Sequence, residues 1–133
     1  MKFELSKEYI KYIQSLIEEQ SVIKLTEELN EIHAADIAEI YELIEIEQAH
    51  FLHNIINDEK GAEILIELED NLRDQLLDNL SPKEIAEEVI ENLESDDAAD
   101  IVSELPQEVK EKVLSHIEDV EHASDIADLL NYP

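Results

Sequence analysis

The 133-residue chain has no cysteine, which excludes disulfides, thiolate metal sites and cysteine nucleophiles and fits a reducing compartment. It has one glycine, Gly61, so no glycine-rich loop can cradle a phosphate; Gly-x-Ser-x-Gly, His-Glu-x-x-His and calcium-loop patterns are missing too. Apolar residues make up 44% of the chain, but the longest apolar run is Ile64-Leu65-Ile66, so nothing spans a bilayer and nothing has the apolar stretch of a secretory signal. The start, Met1-Lys2-Phe3, reads as a cytoplasmic N-terminus. Bases are scarce: 9 Lys and Arg stand against 36 Asp and Glu, for a net charge of −27. Residues 25–59 hold ten acids and no base, and residues 84–105 hold nine and no base. Such faces repel nucleic acid and anionic lipid, which leaves cations or a basic protein surface as partners. Acidic excess on a helical domain also serves solubility, and that reading stands beside the first.

What the chain does have is a period of twelve. Ile32, Ile44, Ile56, Leu68, Leu80, Leu93, Leu105, Ile117 and Leu129 form a ladder of branched aliphatics, stretched by one residue between Leu80 and Leu93. The residues three and four places before the rungs repeat as well, as Ile40/Tyr41, Ile64/Leu65, Leu76/Leu77, Val89/Ile90, Ile101/Val102 and Val113/Leu114, with His53 and Asp125 as the departures. This is the spacing of one helix face. After the rungs come Asn57-Asp58, Asp70, Ser81-Pro82, Ser95-Asp96, Pro106 and Asp119, residues that cap a helix N-terminus or pre-set its first turn. Each unit therefore reads as one short helix and one turn. A helix that short is marginal alone, so the units must stack their apolar stripes. The expected fold is all-α: a superhelical stack of short helices, loosely an armadillo-like solenoid, whose helix pairs repeat at about twice the twelve-residue unit. The position seven before the rung is small at Ala49, Gly61, Ala86 and Ala98, which lets adjacent backbones approach. Residues 1–31 lie outside the clean ladder and read as two lead-in helices; residues 32–133 carry the repeats, and 1–133 form one domain.

Few constellations carry chemistry. Asp96-Asp97-Ala98-Ala99-Asp100 places two carboxylates at a helix start and a third one turn later on the same side. They are ordinary caps that favour the helix dipole, or a hard-cation site of the kind that suits Mg²⁺. Glu47-Gln48-Ala49-His50 matches a Glu-x-x-His step without its second copy; with it, a carboxylate-bridged metalloenzyme built on Glu47 and His50 is the reading from a different class. A His50–His53 metal pair is the alternative to a satisfied, half-buried His53. His33 and His122 open near-identical segments, His-Ala-Ala-Asp-Ile-Ala and His-Ala-Ser-Asp-Ile-Ala, and both read as helix-start residues. Carboxylate pairs are too common here to single out an acid/base couple, and no catalytic apparatus emerges.

The segments Ile32-His33-Ala34-Ala35-Asp36-Ile37-Ala38-Glu39-Ile40, Leu80-Ser81-Pro82-Lys83-Glu84-Ile85-Ala86-Glu87 and Asp96 through Pro106 resemble the intracellular N-terminal domain of the MgtE family of magnesium transporters. The likeness covers roughly residues 25–133. Where members commonly carry His-Pro-Ala-Asp, this chain has His33-Ala34-Ala35-Asp36. The resemblance implies a cytoplasmic, Mg²⁺-sensing, non-enzymatic piece of a homodimeric inner-membrane channel or transporter. Leu129-Leu130-Asn131-Tyr132-Pro133 looks like the junction to paired CBS (cystathionine-beta-synthase-type) domains, with the membrane part beyond. Carried over by motif, the acids that would share Mg²⁺ with a CBS domain are Glu63, in Gly61-Ala62-Glu63-Ile64-Leu65, and Asp96, Asp97 and Asp100. Mn²⁺ and Ca²⁺ suit such loose carboxylate clusters as well. The main rival is an interaction scaffold: the middle domain of the flagellar motor-switch protein FliG is similar in stacking short helices with Leu-Pro or Leu-Ser turns.

Overall fold

Every connection in the chain follows from where its helices stop, and the twelve-residue ladder marks those stops. The computed structural model describes residues 6–130. Its α-helices are α1 (Lys7–Glu18), α2 (Val22–Asn30), α3 (Ala34–Leu43), α4 (Ile46–Ile55), α5 (Asp58–Glu67), α6 (Asp70–Leu77), α7 (Pro82–Glu84), α8 (Ser95–Ser103), α9 (Gln107–His116) and α10 (Val120–Leu129). After α7 the chain continues helically through a π turn, Ile85–Val89, and a 3₁₀ turn, Ile90–Asn92. Among the described residues there is no strand. The all-α stack of short helices expected from the ladder is the fold, with α1 and α2 as the two lead-in helices.

The rungs play a different part from the one their periodicity suggests. Ile44, Ile56, Leu68, Leu93 and Ile117 are helix C-caps with extended backbone, where the chain leaves one helix and turns into the next. Ile32, Leu68, Leu93 and Ile117 are still buried, Ile44, Ile56, Leu80 and Leu105 are half-buried, and Leu129 is 54% exposed. The deepest part of the core lies one turn earlier: Ile40, Tyr41, Ile64, Leu65, Ile90, Ile101, Val102 and Val113 are almost fully buried. The small positions belong to it too, since Ala49, Ala86 and Ala98 are fully inaccessible.

The expected caps act as such at Asn57, Ser81 and Asp119, whose side chains accept amide hydrogen bonds from Lys60, Glu84 and His122. Ser81 and Glu84 complete a reciprocal box, with Glu84 accepting from the Ser81 amide at 2.9 Å. Helix α8 differs: Glu94 stands at its N-cap without a side-chain bond, and Ser95 is already helical. With one glycine in the chain, α1 ends on Gln20 instead, at φ 56°. The Ser21 amide donates to Leu16 O and the Gln20 amide to Ile17 O, both at 3.0 Å, the bond pair of a Schellman stop.

The extra residue between Leu80 and Leu93 has a structural counterpart. The Ile90 amide reaches back to Ile85 O as well as Ala86 O, so the thirteenth residue widens one turn to π geometry and leaves the apolar stripe in register. The side-chain amide of Asn92 donates to Glu88 O at 2.9 Å, satisfying a carbonyl displaced by that turn.

Contacts cluster into two units, Met1–Leu72 and Arg73–Pro133. In the first, α3 packs on α5 and α2 on α4, and α1 packs against α2 and α4. Tyr9 on α1 donates to Glu28 Oε2 on α2 at 2.7 Å; burial, then Glu28 as hydrogen-bond partner and negative charge, push its phenol above the usual range. In the second unit α8 packs on α10, and α9 on α7 and the π turn. Helix n against helix n+2 is what a two-helix period of about twice twelve residues requires. Arg73 is the buried charged residue of this unit, 7% exposed, and its guanidinium donates to Glu104 Oε2 at 2.6 Å, at the C-cap of α8.

Candidate metal-binding surface

In the first unit, Glu63 is exposed on α5, one turn beyond Glu59. Both line an open cleft of about 370 Å³ with Glu31, His33, Asn57 and Lys60. His33 is the N-cap of α3, as its sequence suggests. Lys60, the first base after the acid-only stretch, turns back through the cleft; its ammonium donates to Leu29 O at 2.7 Å and Asn30 O at 3.5 Å. A cation on the last carbonyls of α2 complements the negative end of that helix. The end of the acid run was the one sequence signal for Lys60; its target 31 residues away was not readable.

In the second unit, Asp96 and Asp97 stand in the first turn of α8, with Asp100 one turn on. Asp96 and Asp100 are exposed and Asp97 half-buried; Asp96 Oδ1 accepts the Asp97 amide at 3.0 Å. Among the described residues, the carboxylates of Glu63, Asp97 and Asp100 have no hydrogen-bond or ion-pair partner. Two neighbouring acids are engaged instead, Glu104 with Arg73 and Glu91 with the amide of Glu118 at 2.8 Å.

His122 corrects one expectation. It is not a helix-start residue like His33 but sits inside the first turn of α10, which Asp119 caps. Its Nδ1 lies 3.3 Å from Ser95 Oγ and its Nε2 3.1 Å from Ile90 O. The two histidine segments are near-identical in letters, yet Asp119 offers the chain an earlier start, so the second helix begins three residues sooner relative to its histidine. The imidazole then points at the preceding layer.

His53 is satisfied and largely buried, as expected in place of a metal ligand. Its Nδ1 lies 3.0 Å from Tyr41 Oη, with the rings edge to face. Burial, and then the neighbouring His50, lower its pKa to about 4, and burial alone raises the Tyr41 phenol. With the ring neutral, we assign the phenol as donor to Nδ1. Gly61 backs the same ring: a Cβ there would stand 3.3 Å from His53 Cε1. Gly61 is glycine because an imidazole, and not another helix backbone, fills its place. Glu47 is exposed and His50 half-buried on α4.

Among the described residues no three His, Asp or Glu side chains converge to hold a metal ion, and no helix is long and apolar enough to cross a membrane. Met1-Lys2-Phe3 and the Asn131-Tyr132-Pro133 part of the expected junction lie outside the described residues.

Short stacked helices with exposed carboxylates on their surface define an all-α helical-stack class. The comparisons narrow it: residues 32–133 match the family described as the MgtE intracellular N domain. The chain belongs to that family, the one its repeats resemble. Among solved structures it is similar to the "Crystal structure of the soluble part of a magnesium transporter", with a TM-score of 0.79 and 20% identity over 96% of this chain. At that identity the likeness bears on the fold. The chain spans 50% of the length of that structure's chain. No curated protein sequence matches.

Proposed function

We propose that this chain is the Mg²⁺-sensing regulatory domain of a magnesium transporter or channel, with no catalytic role. It occupies the cytoplasmic side of an inner-membrane homodimer, and 1–133 act as one domain followed by CBS domains and a membrane pore. The observation that carries the reading is a set of carboxylates, on Glu63, Asp97 and Asp100, without hydrogen-bond or ion-pair partners among the described residues, within a span that matches a magnesium-transporter family domain.

Those residues fit a hard divalent ion. Mg²⁺ keeps several of its waters and takes one or two protein carboxylates, so it needs no convergent cage within one chain. Glu63, Asp96, Asp97 and Asp100 would hold it together with oxygens of a CBS domain. The ion supplies positive charge between two negative surfaces. Without it, acids a few ångströms apart repel, at about 1 kcal/mol per pair at 4 Å in water, and this domain stands away from its neighbour. With the repulsion relieved, the compact arrangement that favours pore closure is more populated. Sites of this kind bind weakly, on the order of 10⁻⁴ to 10⁻³ M, and each contributes about 1 to 3 kcal/mol of coupling.

The test is Glu63→Ala, Asp96→Ala and Asp97→Ala together in the full-length protein. Conductance should persist at Mg²⁺ concentrations that close the wild-type pore. Mg²⁺-dependent closure that is unchanged in the triple variant removes these acids from the mechanism.

A further inference from the structure

Lys7 and Lys11 stand on α1 beside an open groove that the fold fills only in part, through Gln14, whose amide donates to Gln48 Oε1 at 3.0 Å. Ile13, Leu16 and Ile17 bury α1 in the first unit. Lys7, Ile10, Lys11 and Gln14, at i, i+3, i+4 and i+7, line a neighbouring stripe. With Leu43 at the end of α3, 56% exposed, they enclose an open groove of about 330 Å³.

Two observations mark the lysines as placed for something outside the fold. Among the described residues the ammonium groups of Lys7 and Lys11, like those of Lys24, Lys110 and Lys112, have no ion-pair or hydrogen-bond partner, and these two stand together at the rim of the groove. Their position also works against α1. Lys7 sits in the first turn, where the helix dipole disfavours a cation, and Lys7 and Lys11 are like charges one turn apart. Local rules broken together at one apolar groove are characteristic of a binding site.

We propose that this groove docks an acidic amphipathic helix of a partner protein, which inserts an aliphatic side chain between Ile10 and Leu43 and sets carboxylates against Lys7 and Lys11. The concavity takes a side chain, as helix-in-groove recognition does, and the rim charges select its sign. A flat anionic bilayer is disfavoured because it would face a chain of net charge −27. At physiological salt, screening over about 8 Å lets the two ammonium groups act locally while more distant acids are damped. The inference is independent of the Mg²⁺ reading: Lys7, Ile10, Lys11 and Gln14 precede residue 32, where the family match begins.

The test is fluorescence anisotropy of the 133-residue chain with a labelled helical peptide carrying Leu at i, i+3, i+4 and i+7 and Glu elsewhere. A peptide of the same composition with the leucines scattered is the control. The wild type should bind the first peptide and not the second, and binding should weaken as salt rises. Lys7→Glu with Lys11→Glu, and separately Leu43→Asp, should each weaken it about tenfold or more. These positions are exposed, so circular dichroism should show unchanged helix content; the two variants remove charge and apolar surface independently. Absence of wild-type binding, equal binding of the scattered peptide, or undiminished binding by both variants overturns the proposal. So does lysine-dependent binding to phosphatidylserine vesicles without binding to the peptide.

Discussion

Acidification should weaken this fold through one side chain, His53, and the size of the effect follows from its burial. Its pKa is lowered from the ordinary 6.5 to about 4, first by burial and then by His50. The unfolded chain therefore takes up this proton near pH 6.5, whereas the folded chain resists it until about pH 4. Above the unfolded value the group makes no pH-dependent contribution. As pH falls below it the unfolded state binds more protons, and stability drops through the window from about 6.5 to about 4. Between about pH 7.5 and pH 5 the loss is about 2 kcal/mol, and the full shift corresponds to about 3 kcal/mol. The chain carries many other ionisable groups, so the wild type alone is not diagnostic. His53→Asn removes the titration and keeps a side-chain oxygen that can accept from Tyr41. The assay is urea unfolding of both chains across this pH range. The variant should be less stable near neutrality, through lost packing, and the gap should close by about 2 kcal/mol at about pH 5. A gap that stays constant with pH would mean that His53 is not held neutral by its surroundings, and the account of the Tyr41–His53 pair would fail.

Three further substitutions test the local arguments. Gln20→Gly, at the left-handed stop of α1, should stabilise the chain by up to about 1 kcal/mol in thermal or urea unfolding, since a side chain there carries a steric cost that glycine lacks. Ser81→Ala removes one half of the capping box and should cost about 1 kcal/mol, while Ser81→Thr should cost much less. Gly61→Ala should change stability little: alanine favours the helix by about 1 kcal/mol, and His53 must yield a few tenths of an ångström in return. Gly61→Leu drives a side chain through the imidazole and should cost about 2 kcal/mol or more by the same unfolding assay.

How much was legible depends on how many residues apart the decisive atoms lie. The caps at Asn57, Ser81 and Asp119 were readable because a cap bonds an amide three residues away. The single stretched interval before Leu93 was visible as a count, though not as a π turn, because whether an extra residue loops out or widens a helix depends on what the helix packs against. Of the acids the sequence singles out, Glu63, Asp96 and Asp100 are exposed and Asp97 is half-buried. Lys60 in the same cleft was missed, because its partner is a backbone carbonyl, and carbonyls carry no residue identity. Arg73 was missed for a related reason: nothing in its neighbours along the chain distinguishes a buried arginine from a surface one.

The amino-acid sequence by itself settled the all-helical class, the short helical units and the family, because periodicity, capping and repeat motifs are local patterns of letters. Tertiary structure alone decided which aliphatics are core and which are helix ends, that His53 faces Tyr41 and Gly61, that His122 and His33 are not equivalent, and that Leu43 meets the outer stripe of α1. These join residues 8 to 36 positions apart, on consecutive helices or on helices brought together by n to n+2 stacking, and side chains meet there through geometry that no short stretch of sequence encodes.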